Sequence, residues 1–365
     1  RHVIFGGAGR AYNRNQFDFM AREQYSLAFP PYTYRFNTPA HHCSNAPATC
    51  LQWDPRYLDQ AALDALVAAN PNNGTTVYMI DNEIKTPYSD QFSLGMRNAF
   101  EMFGHGWNSS VTLLHILSHD GILFSKGNRL ADGSFFPPGR SFGSPPPSNL
   151  PGFGQLLIGR NGVETRLTSL LLSLEKPYTT QSGWGATVAY TYSDAKENRN
   201  NHDTFTFDYP DLEDVAFMKS LGVPKHRLVA TGMLDLGWGM NLSSKLTLSS
   251  PDARESLDCI SIDTWNCYFN PYYADTTIGY KQLDMALQKV WDTGTDLQFR
   301  VRLDVLNVFD WNNWTGWDGN RGGGRNPANP NSVANPNPNF GKRSINNYDI
   351  AYPTRTVKLS FGLNW

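Results

Sequence analysis

The segment DWNNWTGWD concentrates side chains that could bind a ligand. It places Trp311, Trp314 and Trp317 three residues apart, with the polar residues Asp310 and Asn313 beside them. Flat aromatic rings next to carboxylate and amide groups suit stacking on a sugar or another amphipathic ligand. We therefore predict a ligand-binding role for these residues. The alternative is that the rings anchor a loop at a membrane interface, where aromatic residues are also common.

Catalytic and metal chemistry have little support in the sequence. His41, His42 and Cys43 are adjacent, and adjacent residues in a loop rarely form a metal site by themselves. His115 and His119 are four residues apart, a spacing that brings ligands together on a helix but not on a strand. A G-x-S-x-G nucleophile motif is absent. We expect no catalytic residue, no metal site and no cofactor.

The four cysteines form two close pairs in the chain, Cys43 with Cys50 and Cys259 with Cys267. Both pairs lie in polar stretches without regular periodicity, which favours local disulfides and an oxidising compartment. Four unrelated thiols are the alternative. Zinc is less favoured, because neither pair has the two-residue spacing of a zinc knuckle.

The composition indicates which elements carry these residues. Aromatic residues make up 13% of the chain and charged residues only 18%. No apolar run approaches the length of about 18 residues that a membrane-spanning helix needs. A mean hydropathy of −0.45 is still compatible with a membrane β-barrel, because only alternate residues of a barrel strand face lipid. The net charge of −2 gives no electrostatic reason to expect nucleic acid as a partner.

Runs of apolar residues at every second position predict about ten strands. The predicted strands are 2–12, 90–102, 108–118, 164–175, 182–194, 226–237, 239–250, 279–291, 296–309 and 354–365. Short and long connections alternate along the chain, as they do in outer-membrane barrels. Within the long connections, residues 56–69 have helical spacing and residues 320–343 are predicted to be irregular. The sequence therefore predicts an all-β, antiparallel, up-and-down transmembrane barrel.

The polar faces of three strands carry charged residues. Arg300, Arg302 and Asp304 alternate with apolar residues, and Asp284 and Lys245 occupy equivalent positions in the two preceding strands. In a barrel these side chains would line the lumen. Ordinary solvation of a polar interior is the alternative for each of them.

The last strand alternates through Phe361, Leu363 and the terminal Trp365. An amphipathic strand that ends in an aromatic residue resembles the outer-membrane assembly signal. This resemblance implies recognition by the barrel assembly machinery.

Several segments resemble, in order and spacing, the C-terminal barrel part of TonB-dependent outer-membrane receptors. GYKQLDMALQKVW and LQFRVRLDVLNVFDWNNW resemble that family's penultimate strand pair, with Asn307, Val308 and Phe309 as its Asn-Val/Leu-Phe motif. GWGATVAYTYSDAKENRNN resembles an aromatic strand that enters a surface loop. RHVIFGGAGRAYNRN and KTPYSDQFSLGMRNAF resemble the strands that flank a long loop in the Oar-like subgroup.

The resemblance implies a barrel of about 22 strands around an N-terminal plug. This sequence shows fewer strands and neither a plug nor a TonB box. We therefore interpret residues 1–365 as the C-terminal part of the barrel, with the plug and first strands absent. A self-contained ten-stranded barrel is the alternative.

The resemblance also implies active import across the bacterial outer membrane. A TonB-type energy-coupling protein would act through the plug, while this chain supplies the wall and the extracellular capture loops. The C terminus would be periplasmic, and the wall would contact outer-membrane lipid. The substrate, a small molecule, glycan or peptide, cannot be read from the sequence. A passive porin or surface-binding barrel is the main alternative, and an outer-membrane hydrolase is a minor one.

Overall fold

The computed structural model describes most of the predicted strands and parts of the connections between them. The described residues are 1–13, 16–28, 35–37, 50–69, 75–127, 129–131, 153–199, 205–206, 215–259, 268–274, 276–292, 294, 297–323, 333–343 and 354–364. Most of the other residues belong to the predicted long connections.

Ten antiparallel strands form one sheet in chain order, each paired with the strands that precede and follow it. The strands are β1 (His2–Tyr12), β2 (Tyr88–Met102), β3 (His105–Lys126), β4 (Phe153–Thr179), β5 (Trp184–Glu197), β6 (His226–Gly237), β7 (Met240–Ser249), β8 (Tyr280–Asp292), β9 (Gln298–Leu306) and β10 (Thr356–Asn364). The predicted up-and-down arrangement of ten strands is confirmed. Within the described residues, the sheet is open, because β1 and β10 are each paired on one side only.

β3 and β4 are longer than predicted, and they extend into the region predicted as the loop 119–163. Their pairing continues to Lys126 opposite Leu157, beyond a register shift between Ser118 and Gly121. The sequence pattern missed this extension because it is covered on both faces, and strands buried on both faces do not alternate. Leu123 and Phe124 are almost inaccessible to solvent.

The five long connections share one end of the sheet, which we call the loop end, and the short connections share the other, the turn end. Between β2 and β3 the turn consists of Phe103 and Gly104, whose φ angles are 54° and 73°. Two residues with positive φ match the type I′ turn that suits the twist of a hairpin. The predicted alternation of long and short connections is therefore confirmed.

One face of the sheet is apolar and exposed; we call it the apolar face. A row of residues opposite one another crosses six strands of it: Trp184, Leu234, Leu242, Leu287, Leu303 and Leu359. Leu359 retains 55% of its accessible surface, and Leu303 retains 38%. A contiguous apolar surface that crosses six strands and stays exposed is unusual for a protein in water. It is typical of a protein that faces lipid.

Most of the buried apolar core lies at the loop end rather than in the sheet. Val77 belongs to a short strand (Thr75–Ile80) that pairs in parallel with the extension of β4. It is buried, as are Leu123, Phe124 and Leu157. Helix α1 (Gln16–Ala28), which the sequence did not predict, adjoins this strand. The predicted helix at 56–69 is confirmed as a 3-10 turn (Pro55–Leu58) followed by α2 (Gln60–Ala69).

A second folded unit at the loop end joins the last two long connections. The antiparallel strands Ala253–Asp258 and Tyr268–Tyr273 pack against the described residues 317–323 and 333–343. Tyr272 and Phe340 are 5.0 Å apart between ring centroids. The described part of 320–343 is irregular apart from the short pair Gly322–Gly323 and Asn335–Pro336. Neither described helix is long and apolar enough to span a membrane.

Candidate ligand-binding cleft and polar face

Trp311, Trp314 and Trp317 line a single cleft of about 420 Å³ at the loop end. The predicted residue Asp310 lines the same cleft. The remaining walls are formed by Thr276, Ile278, Gly279, Lys281 and Asn312. The structure therefore brings four of the five predicted ligand-binding residues to one concave site.

The fifth predicted residue, Asn313, has a different position. It retains 4% of its accessible surface, and its Oδ1 accepts a hydrogen bond of 2.8 Å from the backbone N–H of Lys281. Asn313 therefore fixes the cleft loop to the start of β8. This contact gives it a structural role whether or not a ligand binds.

Asn307 shapes the path of the chain into the cleft. It is fully buried and adopts a left-handed φ of 50°, which asparagine tolerates better than most residues. Its Nδ2 donates to the carbonyl of Trp311 at 2.9 Å, and its Oδ1 accepts from the N–H of Trp311 at 3.0 Å. Its own backbone N–H donates to Oδ1 of Asp284 at 2.9 Å. The Asn-Val-Phe segment is thus a turn that ends β9 and orients Trp311.

Each of the three tryptophans has a cationic neighbour. The Arg343 guanidinium lies 3.7 Å from the Trp314 ring centroid, and the Arg254 guanidinium lies 5.9 Å from that of Trp317. The Lys281 ammonium lies 5.7 Å from the ring centroid of Trp311. Such pairs are attractive because the cation meets the negative face of the ring. They hold the rings in place, and the sequence spacing gave no indication of these partners.

The position of Lys281 indicates on which side of the sheet Trp311 lies. Lys281 is opposite Leu248 and shares the apolar face with Leu283 and Leu287, since alternate residues of a strand point to the same side. Trp311 therefore lies at the loop end of the apolar face rather than above the polar face. This placement favours the interface-anchor alternative for Trp311, while ligand binding by the cleft stays a prediction.

The five charged residues predicted to face the lumen do share the polar face. Lys245 lies directly opposite Asp284, and Asp304 lies opposite Lys358. The Arg302 side chain donates to Oδ1 of Asp304 at 2.9 Å. Arg300 occupies the same face two residues before Arg302. The alternation of opposite charges makes this face a polar, largely neutralised surface.

Some predicted residues cannot be placed. Cys43, Cys267, His41, His42 and Trp365 lie outside the described residues, as does the side chain of Cys50. Both disulfide pairings therefore stay predictions, and so does the role of Trp365. Phe361 and Leu363 lie on the exposed apolar face of β10.

The other candidate metal ligands do not form a site. The Nδ1 atom of His115 is hydrogen-bonded to the Thr168 hydroxyl at 3.0 Å, whereas the His119 ring packs on Tyr88. Among the described residues there is no group of three potential metal ligands.

Comparison with known proteins supports a membrane barrel. A family model described as an outer membrane beta barrel domain matches residues 1–247. The outer membrane transporter YddB from Escherichia coli superposes with a TM-score of 0.52 at 13% identity, over 99% of this chain and 38% of YddB. The P. aeruginosa receptor FpvA, in a complex with a heterologous pyoverdine, gives a TM-score of 0.45 at 9% identity, over 100% and 31% of the two chains. No curated protein matches the sequence.

The chain spans 38% of the length of YddB and 31% of the length of FpvA. At 13% identity, the match to YddB concerns the fold alone.

Proposed function

The chain belongs to the outer membrane β-barrel domain family, and on that premise we propose that it forms part of the wall of a TonB-dependent active importer. The loop end would face the cell exterior and capture a small molecule, glycan or peptide. The turn end and the C terminus would face the periplasm. The role is transport rather than catalysis.

The observation that carries this proposal is the open ten-stranded sheet. β1 and β10 each present one edge that no described strand covers. Inside a bilayer, unpaired backbone N–H and C=O groups cost several kcal/mol each, so membrane sheets close into barrels. We propose that strands contributed by residues outside this sequence complete a barrel of about 22 strands, with a plug in its lumen.

The polar face supports a wide, filled lumen. Lys245, Asp284, Arg302 and Asp304 would lie inside the barrel, where they could pair with plug residues or line a substrate path. A TonB-type energy-coupling protein would reach the plug from the periplasm. The apolar face would contact lipid, and the barrel assembly machinery would recognise β10.

The orientation predicts unequal labelling of the two ends in intact cells. Thr277 is exposed at the loop end, and Trp238 retains 85% of its accessible surface at the turn end. A maleimide carrying a large polymer, which cannot cross the outer membrane, should label Thr277→Cys in intact cells and Trp238→Cys only after lysis. The unsubstituted protein measures background from the natural cysteines. Labelling of Trp238→Cys alone in intact cells would contradict the orientation.

Active import predicts that transport depends on energy coupling. Growth on single sources of iron, cobalamin, glycan or peptide should be compared with and without this protein, and with and without a functional TonB system. We expect at least one nutrient for which removing the protein and removing energy coupling give the same defect. A growth defect that is unaffected by TonB and disappears at high nutrient concentration would indicate a passive pore instead.

A further inference from the structure

Cations paired with aromatic rings recur along the loop end of the apolar face. The Arg10 guanidinium lies 4.1 Å from the Tyr88 ring centroid, and that of Arg166 lies 3.8 Å from the Phe217 ring centroid. The Lys225 ammonium lies 5.6 Å from the Tyr192 ring centroid. Together with Lys281 and Trp311, these pairs reach from β1 to β8. By strand register, Arg10, Tyr88, Arg166, Tyr192 and Lys281 belong to the apolar face.

Some of these cations are already neutralised by acids. Arg10 forms an ion pair with Asp90 at 2.7 Å, and Arg166 lies 3.7 Å from Glu164. Asp194 is held by Lys219 and Lys196, and its carboxylate raises the pKa of Lys219. Arg10 and Arg166 therefore retain little uncompensated positive charge that could attract an anionic ligand.

Lys225, His226 and Lys281 differ from them. None of the ion pairs within the described residues includes any of the three. His226 Nδ1 is hydrogen-bonded to the Tyr190 hydroxyl at 2.7 Å, and the Tyr192 ring lies 5.5 Å away from its ring. Lys225 and His226 are exposed. Lys225 is one of three lysines, with Lys219 and Lys196, that interact electrostatically with Asp194, so one carboxylate faces three ammonium groups. Asp310 lines the same cleft as Lys281, and its Oδ1 accepts the N–H of Arg355 at 3.1 Å.

The strand register places His226 and Lys281 on the same face of the sheet, with Lys225 next to His226 in the chain. The register places Leu228, Leu248 and Lys281 opposite one another on β6, β7 and β8. His226 precedes Leu228 by two residues on the same face, so it lies one step nearer the loop end. His226 is on β6 and Lys281 is on β8. These strands are two strand spacings apart, or about 10 Å. Between them lie Leu248 and, nearer the loop end, Ser250, whose hydroxyl accepts the N–H of His226 at 3.1 Å. The cleft beside Lys281 is lined by Trp311 and Ile278.

A group that binds here must combine negative charge with an apolar body. We propose that Lys225, His226 and Lys281 form a site for the phosphate groups of an outer-leaflet glycolipid, whose acyl chains lie along Leu228 and Leu248. The placement of this site in the outer leaflet rests on the proposed function, because it requires the loop end to face outwards. Lysines near a membrane surface attract anionic lipid, with a contribution equivalent to about fivefold in binding for each residue.

The binding test uses the purified protein in detergent, with native mass spectrometry as the readout. The probes are bisphosphorylated lipid A and the same lipid after removal of both phosphates. We expect the unsubstituted protein to prefer the phosphorylated lipid by about 25-fold, on the basis of two lysines. The double variant Lys225→Gln with Lys281→Gln should lose that preference.

Lys289→Gln is the matched control. Lys289 is also on the apolar face and also near a tryptophan, with its ammonium 5.5 Å from the Trp291 ring centroid, but it lies at the turn end. Its substitution should leave the preference unchanged. Equal binding of the two lipids by the unsubstituted protein, or equal loss in the double variant and Lys289→Gln, would overturn the proposal. Competition by millimolar inorganic phosphate that abolishes lipid binding would also overturn it, in favour of a free-phosphate site.

Two features keep the result interpretable. Lys225 is exposed and Lys281 is half-buried, and neither belongs to an ion pair within the described residues, so their substitution by glutamine is expected to change stability little. A heat-modifiability gel identifies any variant that has not folded. Binding in detergent does not depend on orientation, so failure of the lipid site and failure of the proposed topology give separate results.

Discussion

Replacing Leu303 with arginine is expected to destabilise the folded protein by about 2–4 kcal/mol, the cost of arginine near the bilayer midplane on the lipid face of a barrel. Leu303 lies within the apolar row, opposite Leu287 on one side and Leu359 on the other. Its described neighbours on that face, Val301 and Val305, are also apolar, so a guanidinium there would have neither water nor an adjacent acidic partner. The free energy of unfolding, measured by urea titration in phospholipid vesicles, checks the expectation.

Ser243→Arg is the matched control for this prediction. Ser243 follows Leu242 of the apolar row directly but points to the polar face, opposite Ala286. There the new cation would be solvated, and the expected change is within about 0.5 kcal/mol. Equal costs for the two arginines would show that the apolar face does not contact lipid.

Replacing Asn307 with alanine is expected to cost about 3 kcal/mol. The substitution removes both side-chain hydrogen bonds to Trp311 and leaves the partly buried N–H and C=O of that residue without their partner, at about 1 kcal/mol for each group. Alanine also tolerates the left-handed φ of 50° poorly, at about 1 kcal/mol. Urea titration measures the loss of stability, and a red shift of tryptophan emission should report the opening of the cleft.

Asn307→Gly separates the two contributions. Glycine adopts positive φ without strain but forms neither side-chain hydrogen bond. The glycine variant should therefore be more stable than the alanine variant by about 1 kcal/mol and should show the same red shift. A glycine variant as stable as the unsubstituted protein would mean that the hydrogen bonds to Trp311 contribute nothing.

The sequence by itself determined the strands and their faces. A strand alternates its side chains every second residue wherever it lies, so Phe299, Val301 and Leu303 could be assigned to one face and Arg300 and Arg302 to the other without coordinates. The bounds of β1 and β6 were also predictable, because alternation stops where the connections begin. The extensions of β3 and β4 were not, since burial on both faces removes the alternation that marks a strand.

Only the tertiary structure decided how the cleft is built. The spacing of Trp311, Trp314 and Trp317 suggested one aromatic site, but their partners Lys281, Arg343 and Arg254 come from three different parts of the chain. These contacts depend on which connections pack together at the loop end. The local periodicity of the sequence gives no information about contacts between distant segments. The same is true of the side of the sheet that Trp311 occupies.

Asn307 illustrates the difference between what the sequence determines and what the tertiary structure determines. Its motif was visible in the sequence as part of a resemblance, without a physical role. Its role follows from a left-handed backbone and from hydrogen bonds to Trp311 and Asp284. Local pattern fixes which face a residue takes, because that depends on its immediate neighbours. The identity of its partners depends on contacts between distant segments, which exist only once the chain has folded.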